Sequence, residues 1–459
     1  MQKILLVSAN NFSNPYPVYP IGLSYLWTYQ KKNLKNYEFD FFDFNLNSFD
    51  DFDNILKSNH YRYIELSLRN IDDVNIYSKN TFITHYKKIT SYIRKYSQAV
   101  LLVGGSGFSI FPELLLKELE ADYGIKGEGE ESNIQLINAL DNGEKVSDIE
   151  GLVYRNDDGD IIVNGRAHFV RSIDVQFDEQ LTEFYWPKSG MLNIQTKRGC
   201  PKRCIYCSYP VIEGRVVRTL DPYKVVENIV ELNRKKEITY LFFTDSIFNI
   251  NREYNYKLCN LIIDSGVKIN WGAYFSPSNL TYEDLRLYQK AGLTHIEFGT
   301  ESFSDSQLVN YQKDFKFEDI LRTSIYCNDL GIFFAHFLIL CGYGETEDSL
   351  AETFENSKKI ENSVFFPYIG MRIYPDTDLC DVALKEGIIK DKSELINPIY
   401  YISKDVDISH LKEDAAKTGM TWVFPDTPES PVVAVLRKRK VRGPMWEYYR
   451  YYANSGEYL

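Results

Sequence analysis

Three cysteines within one short loop constrain this chain more than any other feature. The stretch Thr196–Pro210 reads TKRGCPKRCIYCSYP and sets Cys200, Cys204 and Cys207 in a C-x3-C-x2-C spacing. Thiolates at that spacing can converge on one metal centre from a single loop. A structural zinc site takes four ligands, commonly from two C-x2-C hooks; here there is one hook with three teeth. The other cysteines, Cys259, Cys327, Cys341 and Cys380, are scattered in or beside apolar runs. An iron–sulfur cluster held by three thiolates keeps one iron open for a substrate or cofactor, and its surroundings tune its potential. Three unconnected thiols, or a loop with an incidental zinc, are the bland alternatives.

Around this loop the chain alternates short apolar runs with amphipathic ones. Lys3–Ser8, Tyr37–Phe44, Tyr63–Leu68, Ala99–Val103 and Tyr123–Lys126 read as buried parallel strands, with helices such as Gly22–Lys31 and Thr84–Tyr96 between them. That alternation predicts a doubly wound α/β sheet over residues 1–150, with ligands at the carboxyl ends of the strands. A dinucleotide fingerprint needs its glycines directly after the first strand. Here that strand runs into Ser8-Ala9-Asn10-Asn11, and the glycines follow the fourth and fifth strands instead, as Gly104-Gly105-Ser106-Gly107 and Gly127-Glu128-Gly129-Glu130. Glycine there lets backbone approach a bulky ligand closely; plain strand-to-helix turns are the alternative. Gly151–Arg171 reads as a hairpin within a linker over 151–189. Leu192–Thr196 then starts a second βα series, with further strands at Tyr240–Thr244, Ile269–Phe275, His295–Gly299, Phe333–Leu340 and Ser363–Ile373, making six over 190–390.

Composition narrows the function classes. A formal charge of -12 argues against nucleic-acid partners, which want a basic face. No apolar run approaches the roughly 20 residues of a membrane span. The sequence opens on a strand rather than a signal peptide. Seven cysteines, three of them committed to a metal, fit a reducing, cytoplasmic setting better than a disulfide framework. Residues 391–459 hold Tyr400, Tyr401, Trp422, Trp446, Tyr448, Tyr449 and Tyr451. They are too aromatic for disorder and read as a small capping domain closing a barrel mouth. The basic run Arg437–Arg442 reads as a solvated face or a clamp for a phosphate or carrier protein.

The cysteine spacing, with Tyr206 just before the last cysteine, resembles the radical S-adenosylmethionine enzymes. The resemblance implies a [4Fe-4S] cluster on Cys200, Cys204 and Cys207, S-adenosylmethionine chelating the open iron, and an external electron donor such as flavodoxin or ferredoxin. Lys197, Arg198, Lys202 and Arg203 would favour the thiolates by Coulomb attraction. The six strands fit the family's partial (β/α)6 TIM barrel, on which function sits at C-terminal strand ends. At those ends the resemblance points to Thr244 and Asp245, Tyr274 and Ser276, Glu301 within Gly299-Thr300-Glu301-Ser302, and Gly342 as cofactor contacts. The chain departs from the family at two of these points. Asp245 replaces a Gly-Gly-Glu-like segment, and Tyr274 and Ser276 stand where relatives often place an arginine. Arg372 could hold a substrate carboxylate or phosphate, or form a structural ion pair. His336, on an apolar strand, reads as a satisfied core histidine.

The segment ahead of the barrel resembles the cobalamin-binding domain of cobalamin-dependent radical enzymes, through Pro17–Leu23, the glycines after the fourth strand and Gly-Glu-Gly-Glu after the fifth. The resemblance implies a Rossmann-like domain that binds cobalamin through Ser67, Arg69, Gly104, Gly105, Ser106, Gly127, Glu128 and Gly129. Many cobalamin proteins carry Asp-x-His-x-x-Gly, whose histidine ligates cobalt; this chain has no such motif, so no histidine ligand is expected. Arg69 would face the corrin's lower side, where a cation disfavours a sixth ligand and favours four-coordinate, reduced cobalt. A salt bridge from Arg69 to Asp72 or Asp73 is the alternative. The implied function is a cobalamin-dependent radical S-adenosylmethionine methyltransferase. It would act at an unreactive position of a small molecule or peptide in natural-product biosynthesis. Ser67–Asp72 and Gly370–Pro375 look most like the branch of tryptophan C-methyltransferases and phosphinate P-methyltransferases. A non-methylating cyclase or rearrangement enzyme, and a cluster-binding sensor without turnover, are the competing readings.

Overall fold

The computed structural model describes residues 1–165, 170, 173–427 and 431–450. The distal end of the predicted hairpin (166–169 and 171) and Tyr451 of the aromatic tail lie outside the described residues. The first sheet comprises β1 (Gln2–Ser8), β2 (Tyr37–Asp43), β3 (Tyr63–Ser67), β4 (Val100–Gly104), β5 (Tyr123–Ile125), β6 (Leu152–Arg155) and β7 (Ile161–Val163), in the order β2-β1-β3-β4-β5-β6-β7. β1 to β5 are parallel, and the chain reverses from β1 to either side, which makes a crevice at the β1/β3 switch point. The run Ile4–Val7 is fully buried, as a strand covered on both faces must be. β6 and β7 form the predicted hairpin, but they join the edge of this sheet antiparallel to β5. The sheet therefore extends past residue 150 into the segment expected to be linker.

The second unit opens with β8 (Leu192–Ile194). The short β9 (Lys197–Arg198) and β10 (Arg218–Thr219) then pair antiparallel across the base of the cysteine loop. β11 (Tyr240–Phe243), β12 (Asn270–Phe275), β13 (Leu293–Glu301), β14 (Phe333–Leu340) and β15 (Val364–Ile369) complete a six-stranded parallel sheet in the order β15-β14-β13-β12-β11-β8, an open barrel wall with helices outside. His336 is fully buried and placed between Thr300 and Ser324 hydroxyls at 3.3 and 3.2 Å, as a core histidine should be; burial pushes it down to about 3, so it stays neutral.

The last predicted strand does not run to Ile373. Gly370 takes a φ of +71°, which turns the chain. β16 (Met371–Arg372) then pairs antiparallel with β17 (Tyr400–Tyr401) in a separate ribbon. From there the tail passes along β15, where Trp422 bridges to Phe365, and residues 443–447 reach the barrel floor. Gly443 lies against the Tyr240 ring, Trp446 donates to Glu297 at 3.1 Å, and Glu447 meets His295 at 3.2 Å. Tyr240 and His295 stand towards the N-terminal ends of their strands, so this segment packs against the barrel floor. Arg437 and Arg442 cover Tyr16 and Trp186, pinning the tail to earlier segments, while Lys438, Arg439 and Lys440 between them are exposed. Among the described residues no helix is long and apolar enough to cross a membrane.

Candidate active site

The carboxyl ends of the two sheets face one cleft of about 520 Å³. Ser8 of β1, Ser67 of β3 and Gly104 of β4 line one side; Phe242 and Thr244 at the end of β11 and Tyr274 of β12 line the other. Both sheets thus direct the ends at which parallel α/β folds bind ligands into a shared space. The two units are bound together beside it by buried charge. Arg198 of β9 meets Glu130 at 2.9 Å and Glu128 at 3.3 Å, and Arg218 of β10 also pairs with Glu128.

The cysteine loop is held at its root by Asp245. This carboxylate accepts from the Thr196 and Lys197 backbone N–H groups at 2.7 and 2.9 Å, and pairs with the Lys197 ammonium at 2.9 Å, both side chains 1% exposed. Asp245 is therefore occupied in fixing the loop, a correction to its expected cofactor contact. Gly199 has a φ of +89°, and a Cβ there would lie 2.1 Å from the Val216 carbonyl oxygen, so only glycine fits. Cys200 N–H donates to the Gly214 carbonyl and Cys207 N–H to the Cys204 carbonyl, closing the loop on itself. The three thiols are free and share one neighbourhood. Burial pushes Cys207 up to about 12, and the neighbouring thiols add to the shift. Among the described residues no three His, Cys, Asp or Glu side chains gather as a site for a single ion. A polynuclear cluster places its thiolates on different irons and needs no such convergence. Mutually interacting thiols on a fixed loop fit that group.

Among the bases flanking the cysteines, Lys197 and Arg198 turn away into ion pairs, whereas Lys202, paired with Asp314, also attracts the Cys200 thiolate as expected. A further cation within reach of the cysteines is Lys313, a residue the sequence reading missed. Its Nζ lies 3.8 Å from Cys204 Sγ, 3.4 Å from the Tyr206 hydroxyl and 3.1 Å from Glu301 Oε1. Tyr206 also donates to Glu301 Oε1, at 2.6 Å. Glu301 sits at φ +67°, where β13 shifts register against β14. A non-glycine residue in that region is a strained position of the kind functional sites hold. Tyr206 and Lys313 both engage one carboxylate oxygen of Glu301, Oε1.

Ser67, Arg69, Gly104, Gly105, Ser106, Gly127, Glu128 and Gly129 all line the cleft. Gly105 is required by close approach: its φ is +98°, and a Cβ would lie 2.6 Å from the Leu68 carbonyl oxygen. Ser106 ties the same loops together by donating to the Arg69 carbonyl at 2.8 Å. Glu128 lines the cleft while engaged with two arginines. The Arg69 side chain reaches into the cleft and makes no ion pair or hydrogen bond among the described residues; desolvation lowers its pKa. The alternative salt bridge is not formed. Asp72 is taken by Arg372 at 2.8 Å, and Asp73 by Ser78 and Asn80.

That pair overturns the substrate role expected of Arg372. Its side chain is 2% exposed, and it also donates to the Ile373 and Leu395 carbonyls. Turned aside with β16, it holds the barrel to the loop after β3. Ser276 is likewise withdrawn, its backbone clamped by the Asn249 amide. Gly342 is required by packing, because a Cβ would meet the Tyr311 hydroxyl at 2.2 Å. Thr244 and Tyr274 do line the cleft. The reading also missed Gln30, Glu65 and Asn133, which join beneath the cleft floor. Gln30 Nε2 donates to Glu65 Oε1 at 2.7 Å and to Asn133 Oδ1 at 2.6 Å. Glu65 Oε2 and Gln30 Oε1 are buried acceptors with no donor among the described residues. Orphaned acceptors and a glycine-lined wall fit a large ligand with amide or hydroxyl donors, as cobalamin is.

Comparison with known proteins agrees with this geometry. Residues 194–356 match the model of the radical SAM superfamily. The anaerobic magnesium-protoporphyrin IX monomethyl ester cyclase of Rubrivivax gelatinosus is 27% identical over 271 residues, covering 56% of this chain and 49% of the relative. The chain thus spans about half the length of that relative. The tryptophan 2-C-methyltransferase of Streptomyces laurentii is 21% identical over 456 residues, covering 81% of this chain and 75% of its own. In structure, the radical S-adenosylmethionine methyltransferase TsrM of Kitasatospora setae, solved with tryptophan and a S-adenosylmethionine analogue, superposes with a TM-score of 0.87 at 19% identity, covering 98% of this chain and 97% of that one. A second structure of TsrM holds cobalamin and a [4Fe-4S] cluster. At that identity the likeness shows the fold. The chain carries a radical S-adenosylmethionine superfamily domain over residues 194–356, set in the two-sheet fold of a structure that binds cobalamin and a [4Fe-4S] cluster.

Proposed function

We propose that this chain is a cobalamin-dependent radical S-adenosylmethionine methyltransferase acting on a small molecule or peptide, supplied with electrons by an external one-electron donor. The observation that carries this reading is the shared cleft: the strand ends of the first sheet and the mouth of the barrel face each other, and the segment just past the cysteines, at Tyr209 and Ile212, lines it. When bound, cobalamin would supply a methyl carrier, and the cluster with S-adenosylmethionine a methyl source and a route to radical chemistry. Cys200, Cys204 and Cys207 would hold the cluster. Lys313 and Tyr206 keep the Glu301 carboxylate beside it. Arg69, without an ion pair among the described residues, presents its guanidinium to whatever fills the cleft, and Gly104, Gly105 and Gly127 let that ligand approach the backbone. Phe242 and Tyr274, edge-on at 5.0 Å, give the barrel side an aromatic wall suited to an apolar acceptor.

Anaerobic reconstitution with iron, sulfide and hydroxocobalamin tests the reading. We expect about one cobalt and about four irons per chain, with iron but not cobalt lost in Cys200→Ala. Iron without cobalamin retention would remove the methyl carrier and with it this function. A second reading, a non-methylating cyclase, is favoured by the name of the Rubrivivax relative. Product mass separates the two, because methyl transfer adds one methylene and cyclisation adds none.

A further inference from the structure

Within the barrel, one carboxyl group has no basic partner among the described residues. Glu297 of β13 lies in register between Tyr274 of β12 and Ala335 of β14. Parallel neighbours in register share a face of the sheet, here the one on which Tyr274 lines the cleft. Burial raises the pKa of Tyr16, Tyr274 and Tyr368, and the Glu297 charge raises each further, so phenols from three separate segments surround the carboxylate. Phe242 meets the Tyr274 ring at 5.0 Å. Phe337 of β14 and Phe366 of β15, one step along the face that holds Ala335, stack at 5.0 Å. Tyr16, Phe242 and Tyr274 line the cleft as well, so this aromatic chamber is its extension into the barrel.

Glu297 is 5% exposed. Its one hydrogen bond among the described residues comes from Trp446 Nε1 to Oε1 at 3.1 Å, which leaves Oε2 unpartnered. On the floor beneath, His295 is committed to Glu447 at 3.2 Å and to the Tyr240 hydroxyl at 2.8 Å. Burial pushes Glu297 up to about 7, and no cation offsets that cost. Buried Asp72, Asp245, Glu128 and Glu130 each meet an arginine or a lysine instead. Anchoring the tail does not explain the difference, because an amide would accept the indole N–H without a charge to bury.

We infer that Glu297 is the recognition site for a protonated amine on the methyl acceptor, whose apolar body packs against the surrounding rings. A desolvated carboxylate with a free oxygen calls for a cationic donor, since charge-assisted hydrogen bonds are the strong ones. The rings add to the same preference, because their faces attract a cation and repel an anion. A carboxylate or phosphate of the acceptor at this depth would meet only like charge. The inference rests on the methyltransferase reading above for calling this ligand the methyl acceptor; the amine site itself rests on the barrel alone.

The test is calorimetric titration of the full chain, reconstituted with cluster and cobalamin, at pH 7 in buffers of differing ionisation enthalpy. The probes are phenethylamine, cationic at that pH, and phenethyl alcohol, its neutral counterpart. The amine should bind about tenfold or more tightly than the alcohol. A carboxyl pushed up to about 7 is about half protonated in the empty chamber at pH 7, so binding of the cation should release about half a proton. Glu297→Gln keeps an acceptor for Trp446 and should bind the alcohol as the parent does, while losing both the amine preference and the proton release. Equal affinities for amine and alcohol, or a preference that survives in Glu297→Gln, overturns the inference. Amine binding by the parent without proton release does so too, and needs no variant to fold. Failure of the methyltransferase reading shows separately, as a chain that retains no cobalamin; an amine preference in that chain keeps the barrel site and removes only its link to a methyl acceptor.

Discussion

Arg69 shows how much one side chain can carry when its obvious partner is already taken. The aspartates nearest in sequence are both engaged elsewhere, so its charge is left to face the cleft. In reconstituted protein, Arg69→Lys should alter the visible spectrum of bound cobalamin and slow methyl uptake; an unchanged spectrum with unchanged uptake would remove the role. Glu297 offers a second test at this scale. Burial pushes this carboxyl from 4.5 up to about 7, with Trp446 as its hydrogen-bond donor. The folded state therefore binds a proton more tightly than the unfolded chain, so stability is greatest below the unfolded pKa and falls as pH rises through about 7. The loss should amount to a few kcal/mol between pH 5 and 8. Glu297→Gln, which can still accept from the indole, should flatten that slope in melts taken across the range.

At the scale of elements, β16 decides the fate of Arg372. Gly370 turns the chain out of the barrel wall, β16 pairs with β17, and the guanidinium is carried to Asp72 across the domain boundary. Replacing Arg372 by Met strands a buried carboxylate and should cost about 3–5 kcal/mol in denaturant unfolding. A substrate-binding arginine would instead raise KM at unchanged stability. Gly105→Ala belongs here too, because it concerns how two loops meet. Its Cβ would press on the Leu68 carbonyl at a positive φ, so a loss of about 1–3 kcal/mol is expected together with weaker cobalamin retention. The strands themselves were legible: continuous apolar runs such as KILLVS and FFAHFLIL can only be covered on both faces. The end of the last strand was not, because whether Met371 continues β15 depends on Tyr400 and Tyr401, distant in sequence, offering a new edge.

For the whole molecule, the decisive contact is the one between sheets. Arg198 and Arg218 at the base of the cysteine loop meet Glu128 and Glu130 after β5, so the first domain and the cluster loop share one buried network. Arg198→Met leaves two acids underpaired and should lower iron and cobalt content together, whereas a purely local role would lower iron alone. The sequence by itself determined the chemistry that close spacing encodes: a three-thiol loop at a strand end, the glycines after β4 and β5, and two parallel sheets read from period and burial. These are local signals, carried by a few consecutive residues. Only the tertiary structure decided which charges are free and which are consumed. Asp245 and Arg372 were drawn into buried pairs, Lys313 was brought to Cys204 from more than a hundred residues away, Trp446 was sent to the barrel floor, and Glu65 was joined to Gln30 from a distant helix. The physical reason is that a charge takes the partner nearest in space, and buried charges cannot remain unpaired without cost, so their roles are fixed by long-range packing that no short stretch of sequence contains.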